Sequence, residues 1–481
     1  MLSDRAKTLR PAVQAAFDAG GLDAVCELFA TLIAPLEVRV AELEKRLNMN
    51  SSNSSKPPSS DGLKRKTKSM RRKNTGRKPG GQPGHTGQTL QQSPTPDITH
   101  PIPLDHCATC RTDLRDQPVA SEEKRQVFDL PPIAMEVSEH RAECKWCPTC
   151  AKWVTATFPA KVIAPVQYGG GMQSLMSYLN VAQLLPCERV ADVCQDIFNH
   201  RPSAGSVVRA VARCAEKVAP ALDRIAGVLR EANQLHADET GMRCAGRTQW
   251  IHVASTASHT LYSASPKRGS QGFEVGGVLA AYRGNLITDF WGAYDTLEQC
   301  DHSRCNAHLL RELSSFSEDG QRWAEGLIAA LLAMKQAADD ARQQGQQPIP
   351  PTTLDPLLAD YDHCITEGLQ SHPELAKPVG KRGRAKQSKE RNLLMRMHEK
   401  RDEVLRFAHD LDVPFDNNQA ERDLRMIKVQ QKVSGCFRSD RGARIFCAIR
   451  SYLSTSRKHH VNLMDSIKSA FAGRPLDFAP E

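Results

Sequence analysis

The sequence predicts a multidomain α/β protein with a sheet-based core, an all-α insertion within it, and helical and cysteine-rich modules before it. Three observations carry this expectation. The chain, at 481 residues, is longer than one hydrophobic core serves. Strand-like runs cluster between Asn233 and Cys305, whereas helical periodicity dominates elsewhere. Composition changes abruptly after Leu47, where Ser, Asn, Pro, Gly, Lys and Arg replace residues that could be buried.

The net charge of +9 is concentrated in one place. Lys64 to Lys78 (KRKTKSMRRKNTGRK) holds nine Lys/Arg and no acid; outside it 55 basic residues face 55 acidic ones. A single tract of this kind is the form of a nucleic-acid arm, not of a uniformly basic enzyme. Lys64, Arg65, Lys66, Arg71, Arg72, Lys73, Arg77 and Lys78 are its candidate phosphate contacts. No apolar run reaches the roughly 18 residues of a membrane span, and the N-terminus lacks a signal-peptide series. Fifteen cysteines, several isolated in apolar segments such as Cys187, Cys194 and Cys214, do not form a disulfide framework. These features place the chain in a reducing cytoplasm, associated with the nucleoid.

In chain order, Leu22 to Leu47 is helical and interrupted at Pro35. Leu36, Val40, Leu43 and Leu47 then follow a short coiled-coil-like seam. The polar stretch from Asn48 to Gly87 reads as a disordered linker. Next come Cys107-x-x-Cys110 and the overlapping Cys144, Cys147 and Cys150. Paired knuckles of this type supply four thiolates to a tetrahedral Zn²⁺, and Cys107, Cys110, Cys147 and Cys150 are the favoured set, with Cys144 as the alternative. Three helical pieces follow, near Met172–Leu184, Glu188–Phe198 and Ser203–Val218, with Ser203 as an N-cap. Their spacing suits a helix-turn-helix whose last helix offers Ser206, Arg209 and Arg213 to a DNA groove.

From Asn233 the pattern changes to strands. Gln234–Asp238 reads as a short strand ending in an acid, Gln249–Ser255 and Thr260–Ser265 as a strand pair, Phe273–Tyr282 as a short helix, and Asn285–Asp289 as a second strand ending in an acid. Two such aspartates at one sheet edge share a crevice, and the sheet with its helix is the skeleton of a ribonuclease-H-like domain. A long helical region with a basic tract at Lys377–Arg391 reads as an insertion. It precedes PFDNNQAERDLR, where Asp416 or Asn417 caps a helix that carries Glu421 one turn in, followed by Arg422 and Arg425. Met426–Phe437 then reads as extended, and Ala443–Arg457 as a final helix. The expected boundaries are 1–47 for the N-terminal helices, 48–100 for the basic linker, 101–165 for the zinc-binding module and 166–230 for the helix-turn-helix-like module. The ribonuclease-H-like domain spans 231–440, with its insertion at about 315–410, and a C-terminal helical region covers 441–481.

Asp238, Asp289 and Glu421 have the hard oxygen ligands that two Mg²⁺ ions need for in-line displacement at phosphorus. Glu239, Asp295, Asp301, Asp416 and Asp423 are the competing acids; Asp289 is preferred to Asp295 because a strand leads directly into it. Asn417 and Asn418 stand where they could orient Glu421 or touch a DNA phosphate.

These residues carry a resemblance. NMNSSNSSKPPSSDG, RKPGGQPGHTG, the paired CxxC module, LHADET, LITDFWGAYD, CNAHLLREL and DNNQAERDLRMIKVQQKVSGCFRS resemble the insertion sequence 66 family of bacterial Asp-Asp-Glu transposases. The matching stretches run from about Leu36 to Phe446. The resemblance implies Asp238, Asp289 and Glu421 as the acidic triad, with two Mg²⁺ as cofactors. It also implies an N-terminal zinc-binding, DNA-recognising region and a helical insertion before the glutamate. The chain departs from the family at the extra Cys144 and at His308-Leu-Leu-Arg311, where the family has a basic pair. The reading is a DNA transposase that cleaves element ends and transfers strands. Its partners are the terminal inverted repeats and target DNA, a homo-oligomer on that DNA, and candidate small accessory proteins. Two alternatives stay open: a zinc and helix-turn-helix regulator on an inactive nuclease-like scaffold, and a ribonuclease-H-like nuclease or resolvase without strand transfer.

Overall fold

The computed structural model describes residues 2–49, 90–131, 133–377 and 385–478. The basic tract at Lys64–Lys78 and part of the tract at Lys377–Arg391 lie outside them. The chain divides into two units, one comprising Met1–Ser69, Tyr168–Val190 and Ser203–Glu481, the other Met70–Gln167 and Ala191–Pro202.

Helix α1 (Leu2–Asn48) is broken at Gly20 and Gly21, the latter at φ 63°, a left-handed conformation that favours glycine. Pro35 lies inside it. Contrary to the sequence reading, its segment Leu9–Val40 has the length and apolar composition of a span, with hydropathy 1.5. Asp18, Asp23 and Glu27 interrupt that segment, and one such helix does not make a membrane protein. The coiled-coil-like seam is exposed: Leu36 and Val40 keep 65% and 53% of their surface.

In the second unit a two-stranded antiparallel hairpin pairs β1 (Cys144–Cys147) with β2 (Lys152–Thr155), and Trp146 meets Trp153 edge to face across it.

The larger unit holds the sheet. In it helix α2 (Gly170–Ser177) runs into a π-turn and α4 (Ala204–Glu231) comes later in the chain; α3 (Cys187–Phe198), between them in sequence, belongs to the second unit from Ala191 on. Ser203 caps α4 by accepting the Ser206 amide at 3.1 Å, as its sequence position predicts. The 28-residue α4 is far longer than a recognition helix requires. Val207, Cys214, Val218, Ile225 and Leu229 on it are fully buried, while Arg209 and Arg213 lie on its exposed face.

Strands β3 (Gln234–Cys244), β4 (Arg247–Ser255) and β5 (Thr260–Ser265) form an antiparallel meander. After the single turn α5 (Ser270–Phe273), β6 (Asn285–Thr288) and β7 (Asp301–Arg304) join in parallel, giving the order β5-β4-β3-β6-β7. Two local expectations change here. The strand does not end at Asp238, because Glu239–Cys244 continue pairing with β4 through a turn at Ala245 and Gly246, both at positive φ. The helix expected over Phe273–Tyr282 is cut short by Gly276 and Gly277, at φ 98° and 66°, leaving one turn and a 3₁₀ segment.

Beyond β7 the described chain is helical: α6 (Asn306–Glu318), α7 (Arg322–Gln343), α8 (Pro351–Ser371), α9 (Lys389–Glu399) and α10 (Arg401–His409). They share a core around Leu313, Trp323, Leu331, Tyr361, Leu394 and Leu405. Then α11 (Asn418–Ser434) packs on β3 and β4, α12 (Asp440–Lys458) on β5 and α4, and α13 (Leu463–Phe471) closes the fold. Met426–Phe437 is therefore not extended. Alternation of Ile427 and Val429 imitates a strand, but Leu424, Ile427 and Gln430 are buried at helical spacing until Gly435, at φ 75°, ends the helix.

Candidate active site

Asp238 lies within β3, on the face opposite to Glu239 because side chains alternate along a strand. The parallel register pairs His236 with Ile287; extended by two residues, it sets Asp289 beside Asp238 at the carboxyl edge of β6. Helix α11 reaches these strands through Asn417. Its side chain is buried and does not cap the helix. Instead Nδ2 donates to the Ala237 carbonyl at 2.7 Å, Oδ1 lies 2.9 Å from His236 Nδ1, and its backbone amide donates to Cys305 Sγ at 3.2 Å. Asp416 makes the local turn, accepting the Asn418 amide at 3.0 Å. Thus the residue before the helix ties Glu421 to the strand that carries Asp238.

Loss of that tie has a definite size. Asn417→Ala strands the Ala237 carbonyl and His236 Nδ1, and each orphaned buried group costs about 1–3 kcal/mol. We expect the unfolding free energy to fall by about 2–4 kcal/mol in urea titrations. An unchanged denaturation midpoint would show that the two bonds carry no net weight.

Glu421 sits in the first turn of α11 and faces α6, where Arg311 Nη2 and His308 Nδ1 stand 3.5 and 3.7 Å from its Oε1. Ligand atoms of Cys305, His308 and Glu421 lie within 4.8 Å of one another. Burial pushes the Cys305 thiol up to about 12, so it remains a neutral packing group. Burial, then Arg311, holds the His308 imidazole below its ordinary range, against the pull of Glu421 and Asp289. Asp238 is shifted the other way. Burial, and then the charges of Glu239, Asp289 and Glu421, raise its carboxyl well above the usual range. The three predicted acids therefore share one electrostatic neighbourhood.

The competing acids are engaged elsewhere. Glu239 takes Arg268 at 2.7 Å and the Tyr294 hydroxyl at 2.6 Å, and Arg268 lies 4.0 Å from the Trp291 ring centroid. Asp295 pairs with Arg304 and Lys400, Asp301 with Arg406, and Asp423 with Lys458. Sequence reasoning gave no role among these acids to His308 and Arg311, which face Glu421, to Arg304, which donates to the Asp289 carbonyl, or to Arg268, which holds Glu239. The segment CNAHLLREL carried the only signal for the first two. Arg422 and Arg425 lie exposed on α11.

In the second unit each CxxC forms a turn. Cys107 accepts the Arg111 amide at 2.9 Å, with Arg111 at φ 61°. The Thr112 hydroxyl and amide, with Cys107, hold the Cys110 thiol down at about 7, and hydrogen bonds from Cys150 and Thr149 lower that of Cys147. Depressed thiols presented by amide-lined turns fit a thiophilic cation. Cys144 and Cys147 are three residues apart on β1 and point to opposite faces.

An α/β chain with an acid cluster on its sheet edge and a separate cysteine-knuckle module defines a class: a DNA-processing enzyme with an attached zinc finger. The comparison with family models then identifies it. Residues 165–445 match the transposase IS66 family, more than half of the chain, and the chain belongs to that family. Residues 105–151, which include both knuckles, match the zinc-finger binding domain of transposase IS66. Residues 11–91 match a family of unknown function, DUF6444. The search of curated proteins gives no match. The protein is an insertion-sequence transposase that binds DNA and carries a zinc-finger domain.

Proposed function

We propose that Asp238, Asp289 and Glu421 hold two Mg²⁺ ions and that this centre cleaves element ends and joins the freed 3′-hydroxyl to target DNA. One observation carries the reading. These three acids share a neighbourhood in which Asp238 has no cationic partner among the described residues, while Glu239, Asp295, Asp301 and Asp423, which compete for the role, are each paired with an arginine or a lysine. The donor set fits a hard divalent cation. When bound, the ions supply Lewis-acid stabilisation at phosphorus and acidify the attacking water or 3′-hydroxyl. The chain's own residues orient the acids: Asn417 fixes the helix to β3, and Arg311 with His308 holds Glu421 on the α6 side. The mixed sheet, three antiparallel strands followed by two parallel ones, supports a ribonuclease-H-like core.

The zinc ligands of this reading are Cys107, Cys110, Cys147 and Cys150. Arg209 and Arg213 on α4, with Arg422 and Arg425 on α11, contribute DNA contacts; a helix-turn-helix role for α3 and α4 belongs to the same proposal. The test is a strand-nicking assay on element-end DNA with Mg²⁺, followed by transfer of a labelled 3′-end to a target duplex. Nicking without joining would favour a nuclease or resolvase. Binding without nicking would favour a regulator.

The tract at Lys64–Lys78 is assigned phosphate contacts. Each neutralised phosphate contributes about 0.9 to the slope of log affinity against log salt. Deleting the tract is expected to flatten that slope by several units, measured by fluorescence anisotropy over a salt series. An unchanged slope removes the tract from the interface.

A further inference from the structure

On the flank of α11 turned away from Glu421 lies a polar cavity. Glu421 and Asp423 are two residues apart, about 200° around the helix axis. On the Asp423 side, Tyr262 of β5, Arg422 and Met426 of α11, and Arg450, Ser454 and Arg457 of α12 enclose about 160 Å³ together with Asp423 and Lys458. A cavity of about 150 Å³ admits a benzene-sized guest, so a tetrahedral oxyanion fits.

The charges around this cavity do not balance. Lys458 is committed: its Nζ donates to Asp423 at 3.0 Å and to the carbonyls of Thr256 and His259 at 2.7 and 3.1 Å. Asp423 also accepts from Thr260 and Gln419 at 3.3 and 3.1 Å. One lysine therefore answers the one acid, leaving three guanidiniums. Arg450 is 3% exposed and forms part of the cavity wall, and its Nε has no hydrogen-bond partner among the described residues. Burial holds the Arg450 and Lys458 cations below their ordinary ranges, against the raising influence of Tyr262, and less of Asp423, on Arg450 and of Asp423 on Lys458, a penalty that an anion would relieve. Arg422 and Arg457 are exposed at the rim.

We propose that this cavity is an anion site that takes one phosphate group of a polynucleotide backbone. The backbone is favoured over a free nucleotide because the one aromatic ring in the lining, that of Tyr262, is buried and offers a base no stacking surface. The Tyr262 hydroxyl is already engaged by the Asp423 carbonyl at 2.8 Å and by Ser454 Oγ at 3.3 Å, leaving the guanidiniums as the donors. Because α11 also carries Glu421, a phosphate held here positions the strand without taking part in the reaction. That use rests on the transposase reading; the anion site itself does not.

The test uses the full chain without divalent cations, so that it reads binding independently of cleavage. Inorganic phosphate is titrated calorimetrically into the wild type and into Arg457→Gln, whose exposed side chain leaves the core untouched. Arg450→Met is the second variant, checked for fold by circular dichroism. In parallel, duplex binding is measured over a salt series. We expect phosphate affinity to fall roughly ten-fold in Arg457→Gln, the scale of one charge-assisted hydrogen bond. Duplex affinity should fall with it, with a salt slope shallower by about 0.9. Absence of phosphate binding to the wild type, or equal binding by Arg457→Gln, overturns the site. Loss of phosphate binding with unchanged duplex affinity and slope overturns the backbone assignment in favour of a free phosphate.

Discussion

Replacing Glu421 by Gln is expected to reduce strand nicking about a thousand-fold or more, since stabilisation of the phosphoryl centre by bound metal is worth several kcal/mol and each 1.36 kcal/mol is a factor of ten. The substitution keeps the shape of the side chain and removes its charge. Folding should barely notice. Glu421 is one-third exposed, its partners Arg311 and His308 stand at 3.5 and 3.7 Å, and such pairs contribute about 0–1 kcal/mol. The two readouts therefore separate cleanly: activity lost, unfolding midpoint retained. A third readout is independent of catalysis. Divalent cations bound by the folded state alone raise its melting temperature, and Mg²⁺ should raise that of the wild type more than that of Glu421→Gln. Wild-type nicking by the variant would remove Glu421 from the centre.

The placement of Asp289 at a strand end was legible because Asn285–Thr288, with Leu286 and Ile287, leads directly into it, and that of Glu421 in a first helical turn because PFDNNQAER has the form of a helix start. Asp238 was legible as an acid on a strand but not as the middle of one. The turn at Ala245-Gly246 that extends the hairpin contains only one residue of the usual turn type, so the strand looked shorter than it is. The role of Asn417 was half legible. Its position announces a cap, yet its side chain bonds to β3, some 180 residues earlier, a contact that no local pattern encodes. The same holds for the separation of Glu239 from the cluster, which depends on Tyr294 and Arg268 arriving from other segments. Local propensity fails most visibly after Met426, where β-branched alternation was overruled by burial of one helical face against β3 and β4.

Arg304 is the residue whose importance the sequence conceals, since DHSR looks like a polar strand end. Its guanidinium is 1% exposed and sits at the junction of three segments. Nε donates to Glu403 of α10 at 2.5 Å, Nη1 to the Asp289 carbonyl at 3.1 Å and the Thr288 hydroxyl at 3.3 Å, and Nη2 to Asp295. It thereby ties the backbone of Asp289 to the helical region that precedes α11. Removing one partner of a buried ion pair costs about 3–5 kcal/mol. For Arg304→Met the lower end applies, because Asp295 and Glu403 keep Lys400 at 2.9 and 3.3 Å and retain some solvent. We expect a loss of about 3 kcal/mol in urea unfolding, against less than about 1 kcal/mol for the more exposed Lys400→Met. The catalytic consequence follows from the geometry: freed from Thr288 and Asp289, the loop after β6 no longer sets the second carboxylate against Asp238. Nicking by Arg304→Met should therefore fall even at temperatures where circular dichroism reports an intact fold, while Lys400→Met keeps near-normal activity. Equal stability of the two variants would show that the charges, not the burial of the guanidinium, govern the junction.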